Sequence, residues 1–237
     1  MPLRIMSFNI QHCADFYSGN IDFDLFADAV KKSGADIIGL NEVRDKGSSE
    51  DFEAQASILA AKCGLYGCFA KAIQIENKGP YGNALLSRYP ILSYSAIGIP
   101  DPEIKQFDGY YETRCLLKAK IDYGNGLDVL VTHFGLNVDE QINAAATVLN
   151  SISDNNCVLM GDFNLQPDSR IIKSISSRIN DTSSVSDEPL FTFPSDKPCK
   201  KIDYIFVSRD ICVKSVFVPE MIVSDHRPVI ADVELQI

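Results

Sequence analysis

Six times along this chain a short apolar run stops on, or starts from, an amide, an acid or an imidazole. That recurrence restricts the folds open to it. LRIMSFN ends at Asn9, and DIIGLN ends just before Glu42. DVLVTH delivers His133, and CVLMGDFN delivers Asp162 and Asn164. KKIDYIFV carries Asp203 near its start, and VSDHRP leads Asp225 and His226 into a last run. Short apolar runs bounded by turn residues read as buried strands. Polar groups at the ends of rigid strands are well placed for chemistry, and strand ends that converge build one pocket. Gly161 is expected to allow a tight exit from its strand, with Phe163 turned back into the core.

Between these runs the periodicity becomes helical. Phe23, Phe26, Ala27 and Val30 share a face in 22–33, which Gly34 closes. Phe52, Ala56, Leu59 and Cys63 repeat at helical spacing and stop at Gly64. Asn137, followed by Glu140, starts a helix. Ile142, Ala145, Ala146, Leu149 and Ile152 are expected on its core face, and Pro167 is expected to begin a further helix. Residues 3–9 are expected to alternate, burying Leu3, Ile5 and Phe8, while 36–41 forms a strand ending before Glu42. Further β-prone segments lie within 66–99 and at 113–121, 127–133, 202–207, 211–218 and 228–235. The turn Tyr123-Gly124-Asn125-Gly126 joins two of them, and 180–190 is a loop. No linker-like break and no repeat of solenoid period interrupts the pattern. The expectation is one domain over 1–237, two packed sheets with helices outside.

Composition narrows the setting. With 46% hydrophobic residues in 237, a core needs no staples. Seven cysteines are an odd count without a C-x-x-C pair, so buried reduced thiols in a cytoplasm are expected, with neither zinc site nor disulfide framework. No apolar run is long enough for a bilayer, and Arg4 interrupts the N-terminal run too early for a signal peptide. The reading is a cytoplasmic monomer without membrane insertion. A net charge of −10 argues against a sequence-blind grip on nucleic acid.

The polar set has a chemistry of its own. Carboxylates and carboxamides offer oxygen donors suited to Mg2+ or Mn2+, whereas Zn2+ favours more His or Cys. A His beside an Asp can act as acid, base or cation toward phosphate. Together these groups suit splitting a phosphate ester with water. Taken singly, each has an ordinary explanation: Asp or Asn after a strand is a common turn residue, and His133 alone would be a hydrogen-bonded core histidine. The weight lies in their joint, ordered occurrence.

The motifs SFNI (7–10), GLNEV (39–43), GNALLSRYPI (82–91), ETR (112–114), VTHFGL (131–136), GDFN (161–164), TFPS (192–195), KIDYIFVS (201–208) and SDHRP (224–228) span almost the whole chain. In this order they resemble the metal-dependent endonuclease/exonuclease/phosphatase superfamily with the deoxyribonuclease-I-like fold. The resemblance implies an α/β protein, a four-layer α/β/β/α sandwich of two packed mixed sheets flanked by helices, with its site at one end of the sheets. It implies Glu42 as principal metal ligand, Asn9 supporting metal or phosphate, and Asp225 as a second candidate ligand. Asp162 would align or deprotonate the attacking water, and Asn164 would hold a phosphate oxygen. His226, oriented by Asp203, would stabilise the transition state or act as base. His133 would contact phosphate or protonate the leaving group. Arg114 would add charge, Asn83 would order His133 or phosphate, and His12 would touch substrate or serve the structure. One departure is visible: Asn41 stands where the family usually has Gln.

The superfamily divides on substrate. Basic DNA-gripping loops, a cation cluster for inositol polyphosphates and membrane-inserting elements are all missing from the sequence. A small or unidentified phosphodiester or phosphomonoester is therefore the expected substrate, and a DNA-repair-type nuclease is the alternative. A non-catalytic phosphate-binding scaffold is a third reading, weakened because Glu42, Asp162 and His226 are all present.

Overall fold

Leu3–Asn9 forms the first strand, β1, and every residue in it except Arg4 is buried. The expected alternation gives way to burial on both faces, which requires cover on both sides. Leu3 and Ile5 join an apolar layer shared with a second sheet, while Met6 and Phe8 join a layer shared with helices. The computed structural model describes residues 2–235. Its remaining strands are β2 (Ile37–Arg44), β3 (Tyr66–Ile75), β4 (Gly79–Ser87), β5 (Ile91–Gly98), β6 (Cys115–Ile121), β7 (Leu127–His133), β8 (Cys157–Asp162), β9 (Asn180–Asp181), β10 (Asp203–Val207), β11 (Ile211–Phe217) and β12 (Val229–Leu235). The helices are α1 (Phe23–Ser33), α2 (Gln55–Cys63), α3 (Val138–Ser151) and α4 (Arg170–Arg178).

Two six-stranded sheets result, ordered β11-β12-β1-β2-β4-β3 and β5-β6-β7-β8-β10-β9. Each is mixed. β1 and β2 run parallel with α1 between them in sequence, and β7 and β8 run parallel around α3. One apolar layer lies between the sheets, a second under α1 and α2, and a third under α3 and α4. This is the four-layer α/β/β/α sandwich that the motifs implied.

Side chains alternate faces along a strand with a period of two. Val129 and Val131 of β7, Val158 and Met160 of β8, and Ile205 and Val207 of β10 all face the layer between the sheets. The same parity places His133, Asp162 and Asp203 on that inner face. Leu3 and Ile5 place Asn9 there, and Ile37 places Asn41 there. Apolar packing therefore aims the polar strand ends at one another.

Glu42 departs from the expectation. β2 does not end before it but continues to Arg44, and the pairing with β4 shifts between Leu40 and Val43. The two residues Asn41 and Glu42 stand opposite Asn83 alone, a bulge of the kind that redirects a side chain. Glu42 takes a left-handed backbone, φ 58°. Without the bulge its parity would match Ile38 and Leu40, which face the helices.

Other expectations also shift. α3 buries Gln141, Ala144, Ala145 and Val148, whereas Ile142 is 56% exposed. Its capping box forms, but Gln141 donates to the Gly135 carbonyl at 3.0 Å, so polar anchoring of the first turn rotates the apolar face. Pro167 lies in the turn before α4, and Ser169 caps that helix through the Ile171 amide. All seven cysteines are free, but Cys199 and Cys212 are exposed rather than buried. Among the described residues no helix is long and apolar enough to cross a membrane.

Gly161 lies inside β8, opposite Thr132, rather than at an exit. Its φ is 145°, and a Cβ there would stand 1.8 Å from the Thr132 carbonyl oxygen. The glycine permits close approach of β7 and β8 one residue before the site. Gly→Ala at a compatible position commonly stabilises by about 0.4–1 kcal/mol. For Gly161→Ala the sign should reverse, with a lower urea midpoint. A midpoint at or above that of the unaltered chain would contradict this packing.

Candidate active site

Strand register sets out the site in rows. His133 of β7 pairs with Asp162 of β8, which pairs with Asp203 of β10, and Asn9 of β1 pairs with Asn41 of β2. Asn9 links the two sheets: its Nδ2 donates to Glu42 Oε1 at 3.0 Å and to Asp162 Oδ2 at 3.1 Å. Asn41 links them again. Its Oδ1 accepts from the Asp162 amide at 2.9 Å, and its Nδ2 donates to the Thr132 carbonyl and to Asn83 Oδ1, both at 2.8 Å. Asn83 then donates to the Cys115 carbonyl at 2.9 Å, so its amide serves this seam between the sheets.

His226 reaches in from the loop before β12. Its Nδ1 lies 2.8 Å from Asp203 Oδ2, and its Nε2 lies 3.6 Å from Asp162 Oδ2. Phe193 packs on the imidazole, ring centroids 4.9 Å apart. Burial alone would discharge His226, but Asp203 and Asp162 outweigh it and push its pKa up to about 10. Burial raises the Asp162 pKa, and Asp203 adds to the rise against the opposing pull of His226. Asp203 Oδ1 is buried without a hydrogen-bond partner.

His133 is held differently. Arg114 Nη1 lies 3.1 Å from its Nδ1, while Nε2 is 3.5 Å from Asp162 Oδ2. A guanidinium only donates, so Nδ1 accepts and a neutral ring carries its proton on Nε2; the 3.3 Å approach of Asn164 Nδ2 to that nitrogen is then a contact of two donors, not a hydrogen bond. Burial, then Arg114 and His226, hold this pKa well below 6.5. Asn164 follows with φ 51°, its amide donating to Asp162 Oδ1 at 2.9 Å and its Nδ2 to the Phe134 carbonyl at 3.0 Å. Between these two residues Phe163 is fully buried against Phe134.

Asp225 and His12 stand apart from this network. The Asp225 carboxylate accepts from Ser224 Oγ at 3.1 Å. His12 is half-buried, and burial, reinforced by Arg44, lowers its pKa to about 4. It belongs to a turn, Gln11 to Cys13, in which all three residues have positive φ. Left-handed backbone costs L-residues about 1–2 kcal/mol each. The turn is secured by Gln55, whose Nε2 donates to the His12 carbonyl at 2.7 Å and whose Oε1 accepts from the Arg44 amide at 2.9 Å. Fully buried Gln55 thus ties the chain just after Asn9 to the chain just after Glu42. Its position at the start of α2 carries no periodic or motif signal, so reasoning from sequence missed it.

The donor set fits a hard cation. The ion pairs of the site leave Glu42 out: Arg114 pairs with Glu112, and His226 pairs with Asp203 and Asp162. Among the described residues Glu42 is a half-buried carboxylate without a cationic ion-pair partner, beside the Asn9 amide. Asp162, Asp203 and His226 also cluster, with donor atoms within 4.8 Å, but the imidazolium already compensates that group.

Two packed mixed sheets with outer helices and a polar cluster at one end define a deoxyribonuclease-I-like α/β sandwich. The model of the Endonuclease/Exonuclease/phosphatase family matches residues 6–226, and the chain belongs to that family. Its members are phosphoester hydrolases, generally dependent on a divalent metal. The chain is 26% identical over 255 residues to the uncharacterized protein YbhP of Escherichia coli K12, covering 98% of this chain and 96% of YbhP. It shares its fold with the mannosyl-6-phosphatase Bt3783 of Bacteroides thetaiotaomicron at TM-score 0.78 and 19% identity, covering 98% and 100% of the two chains. The sulfate-bound human Nocturnin catalytic domain is similar at TM-score 0.69 and 19% identity, covering 98% and 93%.

The three histidines make distinct predictions for NMR of the metal-free protein. At pH 6 to 8 His226 should be imidazolium, and His133 should be the neutral Nε2–H tautomer. His12 should be neutral at the same pH. A His133 titration near 6.5 would break the Arg114–His133 assignment.

Proposed function

We propose that this chain is a divalent-metal-dependent hydrolase of small phosphate esters, working as one domain over 1–237. One observation carries the reading. The Asn9 amide bonds Glu42 and Asp162 at once, and the same Asp162 oxygen faces His226. Mg2+ or Mn2+ held by Glu42 with Asn9 would shield phosphate charge and stabilise the leaving oxygen.

The chain's own groups supply the rest. Asp162, with its raised proton affinity, suits a base working near neutral pH. The attacking water forms the new bond to phosphorus and loses its proton to Asp162. The bond from phosphorus to the alcohol oxygen breaks, and the alkoxide recovers a proton from solvent. His226, charged and braced by Asp203, faces the negative charge that builds on the phosphoryl oxygens. Asn164 and His133 Nε2–H add donors, and Arg114 adds fixed charge. A neutral His133 whose Nδ1 accepts from Arg114 is a hydrogen-bond donor, not the proton source for the leaving group. Asp225 bonds its neighbour Ser224, which favours Glu42 and Asn9 as the ligands.

The acidic chain supports a small ester over a nucleic-acid strand, and the fold shared with a mannosyl-6-phosphatase is in keeping with this. The free thiols suit a reducing compartment such as the cytoplasm.

Hydrolysis of an aryl phosphomonoester and an aryl phosphodiester, with Mg2+, with Mn2+ and with chelator, tests the reading. Activity indifferent to chelator would remove the metal. Asp162→Asn and His226→Ala should each lower kcat by about 100-fold or more, with circular dichroism unchanged. Near-normal rates in both would take them out of the mechanism. Glu42→Gln should shift the Mg2+ titration to higher concentration, and an unchanged titration would reject its role.

A further inference from the structure

We propose that the cavity beside His226 and Asn164 binds the organic group of the ester, and that this group is a neutral, hydroxyl-bearing ring. The inference rests on the phosphate-ester reading above. The cavity has a volume of ≈530 Å3 and includes both of those residues in its lining. That lies within the range of small-ligand sites. A depression of similar size, ≈510 Å3, between Pro100 and the first turns of α3 is lined by none of the polar residues of the candidate active site.

The cavity floor is apolar and preset. Buried Ile202 and half-buried Phe193 form it next to the His226 imidazole. The Phe193 backbone is clamped to Lys200, its amide donating to the Lys200 carbonyl at 3.2 Å and its carbonyl accepting from the Lys200 amide at 3.0 Å. Its ring is further fixed by packing on His226. A rigid aromatic face of this kind favours a flat or ring-shaped occupant.

The rim selects the polarity of that occupant. It carries one cation, Lys200, and one acid, Asp168, both exposed, together with Gln166 and Ser169. Lys200 Nζ lies 5.9 Å from the Phe193 ring centroid, so the aromatic face already has a cation and gains little from a cationic substrate. A polyanion would need several further cations in place of Asp168. A plain alkyl group would take the rim polar groups out of water without giving them partners, which costs free energy. Ser169 Oγ accepts from the Ile171 amide and so keeps its own proton for an acceptor. A sugar-like ring meets every condition: its face covers Phe193 and Ile202, and its hydroxyls pair with Asp168, Gln166 and Ser169.

The test compares a hexose 6-phosphate, a nucleoside 5′-monophosphate and ethyl phosphate, by phosphate release with Mg2+ and by calorimetric binding to the Asp162→Asn protein, with inorganic phosphate as the reference ligand. At least one ring ester should exceed ethyl phosphate in kcat/KM by about 10-fold or more, the gain lying in KM. Which ring ester leads separates a free sugar from a nucleoside as the source. Asp168→Ala and, separately, Leu136→Ala, at an exposed apolar residue that also lines the cavity, should shrink the ratio of ring ester to ethyl phosphate, and Phe193→Leu should shrink it most. Equal use of ethyl phosphate by the unaltered protein, or a ratio unmoved in all three variants, overturns the subsite. If no ester is turned over, the hydrolase reading fails, and binding still decides the cavity. Ring esters binding about 10-fold tighter than inorganic phosphate, and less so after Asp168→Ala, support it, whereas binding equal to phosphate overturns it.

Discussion

The carboxamide of Asn41 crosses from one sheet to the other, and the geometry of the site depends on it. Apolar contact between sheets is non-directional and would tolerate sliding. Asn41 removes that freedom by accepting from the Asp162 amide while donating to the Thr132 carbonyl. Both are backbone groups at the site end of the second sheet, and a buried group of that kind left unpaired costs about 1–3 kcal/mol. Asn9 repeats the connection through side chains, bonding Glu42 of its own sheet and Asp162 of the other. Asp162 and Glu42, the carboxylates proposed as base and metal ligand, are thus held by Asn9, and Asp162 by Asn41 as well.

The site concentrates features that a stable protein otherwise avoids. Asp162, Asp203 and His226 are all nearly inaccessible to solvent. Their mutual arrangement keeps one imidazole charged, while burial, aided by the charges of Arg114 and His226, keeps the other neutral. Left-handed residues gather in the same region: Glu42, Asn164 and the turn from Gln11 to Cys13. Strain of this kind persists only where the surroundings over-determine it. Gln55 does so for the turn, and the three apolar layers of the sandwich provide the rigid frame.

The helix and strand runs of the sequence became elements of the structure with modest shifts at their ends. Asn9, His133, Asp162 and Asp203 were legible as candidates because each sits at a strand terminus whose inward parity follows from its apolar neighbours. Glu42 was legible as a residue but not as a geometry, since its direction depends on a bulge opposite Asn83. The core face of α3 was misread because Gln141 anchors the first turn through a polar bond that hydrophobic periodicity does not register. Gln55 stood outside the candidate set because its partner, the His12 carbonyl, is distant in the chain, and Phe193 did because its packing on His226 is tertiary.

By itself the sequence determined where the strands lie and which polar groups close their ends. These follow from local periodicity, because a strand's two faces alternate whatever it packs against. Only the tertiary structure decided which imidazole carries charge, which carboxylate is left without a cation, and where a cavity opens beside them. Those properties arise from burial and from distances of a few ångströms between residues on separate elements, as with His226 and Asp203 or Arg114 and His133, and no local pattern encodes them.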